Sequence, residues 1–410
     1  MSIINLLLDK GKWQEFLDHK LTKSHLSKYE EQSLIDFVNK EKYLSVSRLI
    51  IDGNYTFSVP KRVLINKSGT SKKRVIYTFE ETENIILKFI LFCMSEYDNV
   101  FYNNCFSFRK NLTIKHAFYK IINKKNISDF YAYKLDISNY FNSIDVQKLL
   151  PMLKDILQDD DKLFVFLKNI LLCEKAIIND VEQEDKHGVM AGTPLSTFLA
   201  NVYLRDLDEY FEKNNIHYAR YSDDIIIFAE DEHTLKEYIQ FIYTVIDKKG
   251  LVINNNKEKI FLPHKPWHFL GFEFYEGIID LSDVTINKIK GKIRRKARAL
   301  YRWKCKNNKT TEQAISVMLR VFNNKFYREK NTKDLTWSKW FFPVINTHKK
   351  LTIIDKYFIQ YLRYLSSGKF SKINYRITYK YLKNLGFKSL VYEYYRYNKN
   401  KKSDTILGSD

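Results

Sequence analysis

Two adjacent carboxylates at the tip of an apolar hairpin constrain this chain more than any other feature. In YARYSDDIIIFA (residues 218–229) the flanking runs read as short strands, and Ser222-Asp223-Asp224 reads as the tight turn between them. Ordinary turn chemistry accepts an aspartate readily. A pair is a different matter, because like charges repel and nothing local neutralises both. A third acid, Asp136, ends the short aromatic and aliphatic strand YAYKLDI (131–137), with Tyr140 and Phe141 following it.

A bound cation would resolve the repulsion. Magnesium takes oxygen ligands and commonly uses one or two carboxylates plus substrate phosphates. Phosphoryl transfer gains from two such ions about 3.5–4 Å apart, one activating the attacking 3′-hydroxyl and one stabilising the leaving pyrophosphate. The Tyr-x-Asp-Asp turn alone is weak evidence for this; order and company decide.

The rest of the chain can support such a site. Hydrophobic residues make up 45% of it, and Gly and Pro number only 12 and 6, which suits a helix-rich core rather than disorder. From Asp283 onward 31 Lys+Arg face 8 Asp+Glu, while residues 1–282 hold 37 against 40, so the whole excess lies in the last third. A basic segment on a near-neutral body points to a polyanion gripped through its phosphates; a solvated basic face or a membrane-surface contact is the alternative. Cys93, Cys105, Cys173 and Cys305 lie far apart. They argue against a zinc site or a disulfide framework and fit a reducing cytoplasm. No apolar run approaches the roughly 18 residues of a membrane span. Met1 to Leu8 is apolar, but Asp9 follows and no basic leader precedes it, so no signal peptide is expected.

Along the chain, residues 1–55 read as a helical extension with Leu6, Leu7, Trp13 and Phe16 as core contacts. Phe57 to Phe79 reads as strand, turn, strand, with Gly69 in a basic turn. Residues 81–97, 113–123 and 146–172 read as helical. After Gly192-Thr-Pro194 a helix begins that carries Leu204, Leu207 and Phe211 on one face; Leu235, Ile239, Ile242 and Ile246 mark another amphipathic helix. HFLGFEF (268–274) returns to strand. Beyond Asp283, Ile286, Ile289, Ile293 and Leu300 share a helix face, with Lys290, Arg294, Arg295, Lys296 and Arg298 around it. Trp303, Trp337 and Trp340 read as helix-packing residues, and only the tail 399–410 reads as disordered.

Taken in order, these segments resemble the motifs of bacterial reverse transcriptases, the group that includes group II intron and retron enzymes. YKLDISNYFNSID resembles the first catalytic motif, GTPLSTFLANVYL the second, and YSDD the catalytic turn. GLVINNNKEKIF and HFLGF resemble the two that follow; KKRVIYTF and SFRKNLTIKHAF resemble the two upstream. The resemblance implies an α+β right-hand polymerase: fingers and palm over 56–282, the palm a small antiparallel sheet backed by helices, and a helical basic thumb over 283–398.

It also implies roles. Asp136, Asp223, Asp224 and the Ile137 backbone carbonyl would hold two magnesium ions, or manganese. Lys257 would protonate the pyrophosphate, and Lys73, Arg74 and Arg109 would face the incoming triphosphate. Phe141, five residues after Asp136, falls where these enzymes place an aromatic gate against the sugar 2′-hydroxyl. Gly192, Pro194 and Ser196 would line the nucleotide site, and Phe269, Leu270 and Gly271 would form the primer grip. Ala191 stands where the family usually has glutamine, and no His-Asn-His cluster or second acidic constellation follows. These departures, by resemblance, favour the defence-associated bacterial enzymes, which copy a structured non-coding RNA into cDNA from dNTPs in the cytoplasm as protection against phage. Rivals are a retron or intron-type enzyme, a template-independent or protein-primed DNA polymerase, and an idle RNA-binding scaffold; the intact Asp136, Asp223 and Asp224 count against the last.

Overall fold

Strand-forming and helix-forming segments alternate along the chain and are sorted into two bodies, Met1–Pro263 and His264–Asp410. The structure is a computed structural model that describes residues 2–23, 26–66, 73–327 and 336–407. The turn expected around Gly69 lies outside the described residues.

The first body begins with helices Lys10–Lys23, Lys28–Asn39 and Leu44–Ile51. Ser27 and Glu30 form a reciprocal capping box at the start of the second. These helices are not a detached extension, because Trp13 is stacked between Tyr43 at 4.3 Å and Phe89 at 3.9 Å and its indole nitrogen donates to the Leu7 carbonyl. Leu7, Trp13 and Phe16 are fully buried and Leu6 packs against the same core.

Two sheets follow. In the first, β1 (Lys61–Asn66) and β2 (Lys73–Thr78) form the expected antiparallel hairpin. The second begins with β3 (Tyr131–Asp136). Strands β4 (Lys175–Ile178) and β5 (Val181–Glu184) extend the first sheet through a parallel contact between β1 and β4, giving the order β2-β1-β4-β5. This second hairpin went unread in the sequence, although its turn residues Asn179 and Asp180, both at left-handed φ, are among the side chains that tolerate such backbone. The expected helix over 146–172 is two helices, Val146–Ile156 and Asp161–Leu171, because Asp160 caps the second by accepting from Leu163. Strands β6 (Tyr218–Tyr221), β7 (Asp224–Ala229) and β8 (Lys259–Phe261) join β3 in the antiparallel order β6-β7-β3-β8. Ile225 to Ala229 is buried throughout, which explains an apolar run without the alternation of a half-solvated strand. Helix Arg205–Lys213 buries Leu207 and Phe211, and helix Glu232–Lys248 buries Leu235, Ile242 and Ile246.

The second body opens with a three-stranded antiparallel sheet of β9 (Trp267–Phe269), β10 (Phe272–Tyr275) and β11 (Ile278–Leu281). These strands pair with one another, and β11 meets the second body's helix Lys349–Ser367. Helix Asp283–Lys306 buries Ile286, Ile289, Ile293, Ala297 and Leu300. The last helix runs from Leu390 to Leu407, and no Gly or Pro interrupts it. Among the described residues no helix is long and apolar enough to cross a membrane.

Candidate active site

The catalytic-looking turn owes its position to sheet register. Asp136 stands directly opposite Asp224 in the β3–β7 pair, and Tyr221 opposite Asp224 in the β6–β7 pair. That leaves Ser222 and Asp223 as a two-residue turn, with Ser222 at φ +62°. The backbone N–H of Ile137 donates to the Asp223 carbonyl at 3.2 Å, tying the turn to the end of β3. The loop before β8 contributes as well, since Asn254 donates its backbone N–H to the Asp136 carbonyl at 2.8 Å.

The three acids are drawn to one edge and their charges are only partly met. Lys257 Nζ lies 2.6 Å from Asp136 Oδ1, Asn254 Nδ2 donates to Asp136 Oδ2 at 3.3 Å, and Lys134 Nζ lies 3.2 Å from Asp224 Oδ1. Burial, reinforced by the charges of Asp136 and Asp224, pushes the Asp223 carboxyl up to about 6. Among the described residues no three carboxylates, imidazoles or thiols already converge in metal-ligating geometry. The donors nevertheless suit a hard divalent cation: they are oxygens, they carry more negative charge than the two lysines cancel, and Asp223 resists ionising without a further positive charge.

Beneath the turn lies a buried network that the sequence reading missed. Arg220 is fully buried; its Nε donates to Asp208 Oδ1 at 2.8 Å, and its Nη2 closes a bidentate pair with Asp208 Oδ2. Nη1 donates to Asn201 Oδ1 at 3.2 Å and to the Ser222 carbonyl at 3.3 Å. Ser107 Oγ donates to Asn201 Oδ1 at 3.1 Å and accepts from the Ser222 N–H at 2.8 Å. Both polar backbone groups of Ser222 are thus held from below. The available signal was an arginine inside an otherwise apolar strand, which must find an acid if buried. The identity of that acid could not be read from spacing.

The upstream motifs are knitted together through the loop before helix Ser196–Tyr203. Ala191 donates its N–H to Asn142 Oδ1 at 2.9 Å, and its carbonyl accepts from Tyr77 on β2 at 2.8 Å. Gly192, at φ +104°, lets the loop lie against that strand, since a Cβ there would meet Ile76 Cβ at 3.0 Å and the Tyr77 carbonyl at 3.1 Å. β2 also carries Lys73 and Arg74, both exposed. Phe141 is half-buried beside Asn142, packed edge-on against Tyr140 at 5.7 Å and Phe108 at 6.3 Å.

Three expectations need correction. Arg109 cannot face a triphosphate, because all five of its N–H groups are engaged by the Asp98 carboxylate and by the carbonyls of Asp98, Tyr102 and Cys105. Ser196 is buried and donates to the Thr193 carbonyl at 2.7 Å, so it shapes the helix start, whereas Pro194 stays half-buried with its carbonyl accepting from Thr197. In the second body, Phe269 is fully buried and cannot touch a primer; only Leu270 and Gly271 form the β9–β10 turn, both at positive φ. Gly271 is required there, since a Cβ would come within 2.9 Å of Thr285 Oγ1.

Residues 65–274 match the family model described as reverse transcriptase (RNA-dependent DNA polymerase). No curated protein matches the chain. Among solved structures, apo telomerase from Candida tropicalis truncated from its C-terminal domain is similar at 14% identity and a TM-score of 0.43, over 55% of this chain and 55% of that one. Telomerase from Candida albicans in complex with a TWJ fragment of telomeric RNA is similar at 13% identity and a TM-score of 0.44, over 86% of this chain and 69% of that one.

Proposed function

The chain belongs to the reverse transcriptase (RNA-dependent DNA polymerase) family, and from that premise we propose that it extends DNA on an RNA template at the aspartates of β3 and β7. One observation carries the reading: register sets Asp136 against Asp224, with Asp223 beside them pushed up to about 6 by burial and its acidic neighbours. Two divalent ions, magnesium or manganese, supply activation of the 3′-hydroxyl and neutralisation of the leaving pyrophosphate when bound.

Asp136, Asp223, Asp224 and the Ile137 carbonyl are the oxygens that would hold these ions. Lys257 pairs with Asp136, and its ammonium is the group that would donate a proton to pyrophosphate. Lys73 and Arg74 meet the triphosphate from β2, with charge-assisted hydrogen bonds. Phe141 excludes the ribose 2′-hydroxyl, and Gly192 keeps its loop low enough to admit the nucleotide. Leu270 and Gly271 serve as primer grip. The fingers, palm and thumb fall at 56–282 and 283–398, the latter gripping phosphates.

The template proposed is a structured partner RNA, copied into cDNA in a bacterial cytoplasm as antiphage defence. Support comes from the charge of residues 283–410 and from the free thiols of all four cysteines. Primer extension with dNTPs on a hybridised RNA template, with and without that template, tests the activity. Template-dependent incorporation is expected; equal incorporation without template would transfer the chain to the template-independent reading. Sequencing nucleic acid that copurifies with the protein tests the partner: one defined RNA with complementary cDNA is expected, and a random cellular mixture would remove the defence proposal.

A further inference from the structure

Exposed apolar patches on a folded body mark contact surfaces. The second body carries one: Phe370, Ile373 and Tyr375 are 63%, 64% and 60% exposed. Lys369, Lys372 and Arg376 alternate with them, all exposed. Beside this run an open groove of about 460 Å³ lies along helix Lys349–Ser367 and the turn Lys372–Arg376.

Its walls are aromatic. Tyr361 meets Phe370 edge-on at 5.2 Å and Tyr357 at 4.9 Å. The Arg363 guanidinium sits 4.5 Å over the Tyr375 ring, with its Nε held by the Ile377 carbonyl at 3.0 Å. Asn374 also lines the groove; it is buried, its Nδ2 donates to the Lys369 carbonyl at 2.7 Å, and its Oδ1 has no hydrogen-bond partner.

We infer that this groove is a stacking site for an unpaired nucleobase of single-stranded RNA, separate from the polymerase chemistry. Aromatic faces take any base, while neighbouring cations take the flanking phosphates. A volume in the small-ligand range admits one nucleotide. Duplex is excluded as the occupant, because paired and stacked bases offer no free face. A protein partner fits less well, since interface cores are depleted in lysine and this patch is interleaved with it. The choice of RNA rests on the proposed templating activity; the groove itself does not.

The test uses the full chain in EDTA, which keeps polymerisation off, and fluorescence anisotropy with a labelled ten-nucleotide oligo(U). Phe370→Ala with Tyr375→Ala should weaken binding roughly ten- to a hundred-fold. The slope of log affinity against log salt should not change, because no charge is removed. Lys372→Gln should instead lower that slope by about 0.7 with a small loss of affinity. If the alanine pair melts lower than the parent, Phe370→Leu with Tyr375→Leu keeps the apolar bulk, removes the rings and should show the same loss. Wild-type affinity in both ring-less pairs overturns the inference, as does self-association that depends on Phe370 and Tyr375 while oligo(U) affinity is unchanged. Primer extension by the parent protein reads the polymerase assignment separately, so its failure leaves this binding result standing.

Discussion

The two bodies handle charge in opposite ways. Met1–Pro263 contains 36 Lys+Arg and 37 Asp+Glu, whereas His264–Asp410 contains 32 and 11. The first body sets its charges against one another at short range: Arg220 on Asp208, Arg109 on Asp98, Lys257 on Asp136 and Lys134 on Asp224. The second turns Arg294, Arg295 and Arg298 to solvent from a helix whose other face is apolar. Buried pairs are screened little by salt, while exposed charges are screened within about 10 Å at 0.1 M.

The largest expected effect separates the two. Asp223→Ala with Asp224→Ala should reduce dNTP incorporation to background, yet leave RNA affinity and its salt slope nearly intact. That slope is about −0.7 per phosphate contact on a single strand. Incorporation by the double variant near the parent rate would sink the site assignment. A parent slope near zero between low and physiological salt would show that the basic face meets something other than phosphate.

Sugar selection comes next and should ignore salt altogether. If Phe141 fills the space of a 2′-hydroxyl, Phe141→Ala raises rNTP use relative to dNTP use by about 10²-fold or more, a few kcal/mol. Were Phe141 only a core residue, truncation would lower both activities together and reduce the melting temperature. Measuring the two incorporations beside the melting temperature separates these outcomes.

A third comparison tests the buried network against the exposed helix. Asp208→Ala leaves the Arg220 guanidinium buried without its counter-charge and should cost about 3–5 kcal/mol in urea denaturation. Adding Arg220→Met should recover much of that loss. Arg294→Gln in the second body should stay within about 0.5 kcal/mol. A loss of similar size in both bodies would mean that Arg220 and Asp208 are no more than surface-like partners.

This contrast also explains what could be read from the residues. The acid turn, its flanking strands and the apolar faces of the helices at 235–246 and 286–300 are local patterns, with periods of two and 3.6 residues, and they were legible. That Asp136 comes to lie beside Asp223 and Asp224 was legible through the order of the motifs. Long-range polar pairing was not: Arg109 looked like a phosphate ligand until Asp98 and three carbonyls took its donors. The same blindness hid the Arg220–Asp208 pair. Nor does aromatic richness say which rings are buried: over residues 370–395 Phe387 and Tyr394 are buried, while Phe370, Tyr375, Tyr392 and Tyr395 face solvent. Burial depends on which helix lies alongside, and a single helix's sequence does not carry that information.

The smallest expected effect concerns Asp223 and works through stability. Its carboxyl titrates at about 6 in the folded chain, against about 3.9 for a free aspartate. The folded state therefore holds this proton more tightly than the unfolded chain. Below about pH 4 both states are protonated and nothing is lost. As pH rises toward about 6 the unfolded chain ionises first, so the folded state loses stability across that window and stays lower above it. A difference of about two pH units corresponds to nearly 3 kcal/mol, which the residue's partial solvent contact reduces to about 1–2 kcal/mol. Asp223→Asn removes the titration. In EDTA the variant should match the parent near pH 4 and melt higher than it at pH 7.5, although it is inactive. Millimolar magnesium should then raise the parent's melting temperature at pH 7.5 more than at pH 5, and raise the variant's less at either. Equal melting of parent and variant in EDTA at pH 7.5 would show that the three acids tolerate one another without a cation, and the argument for a metal from their repulsion would fall.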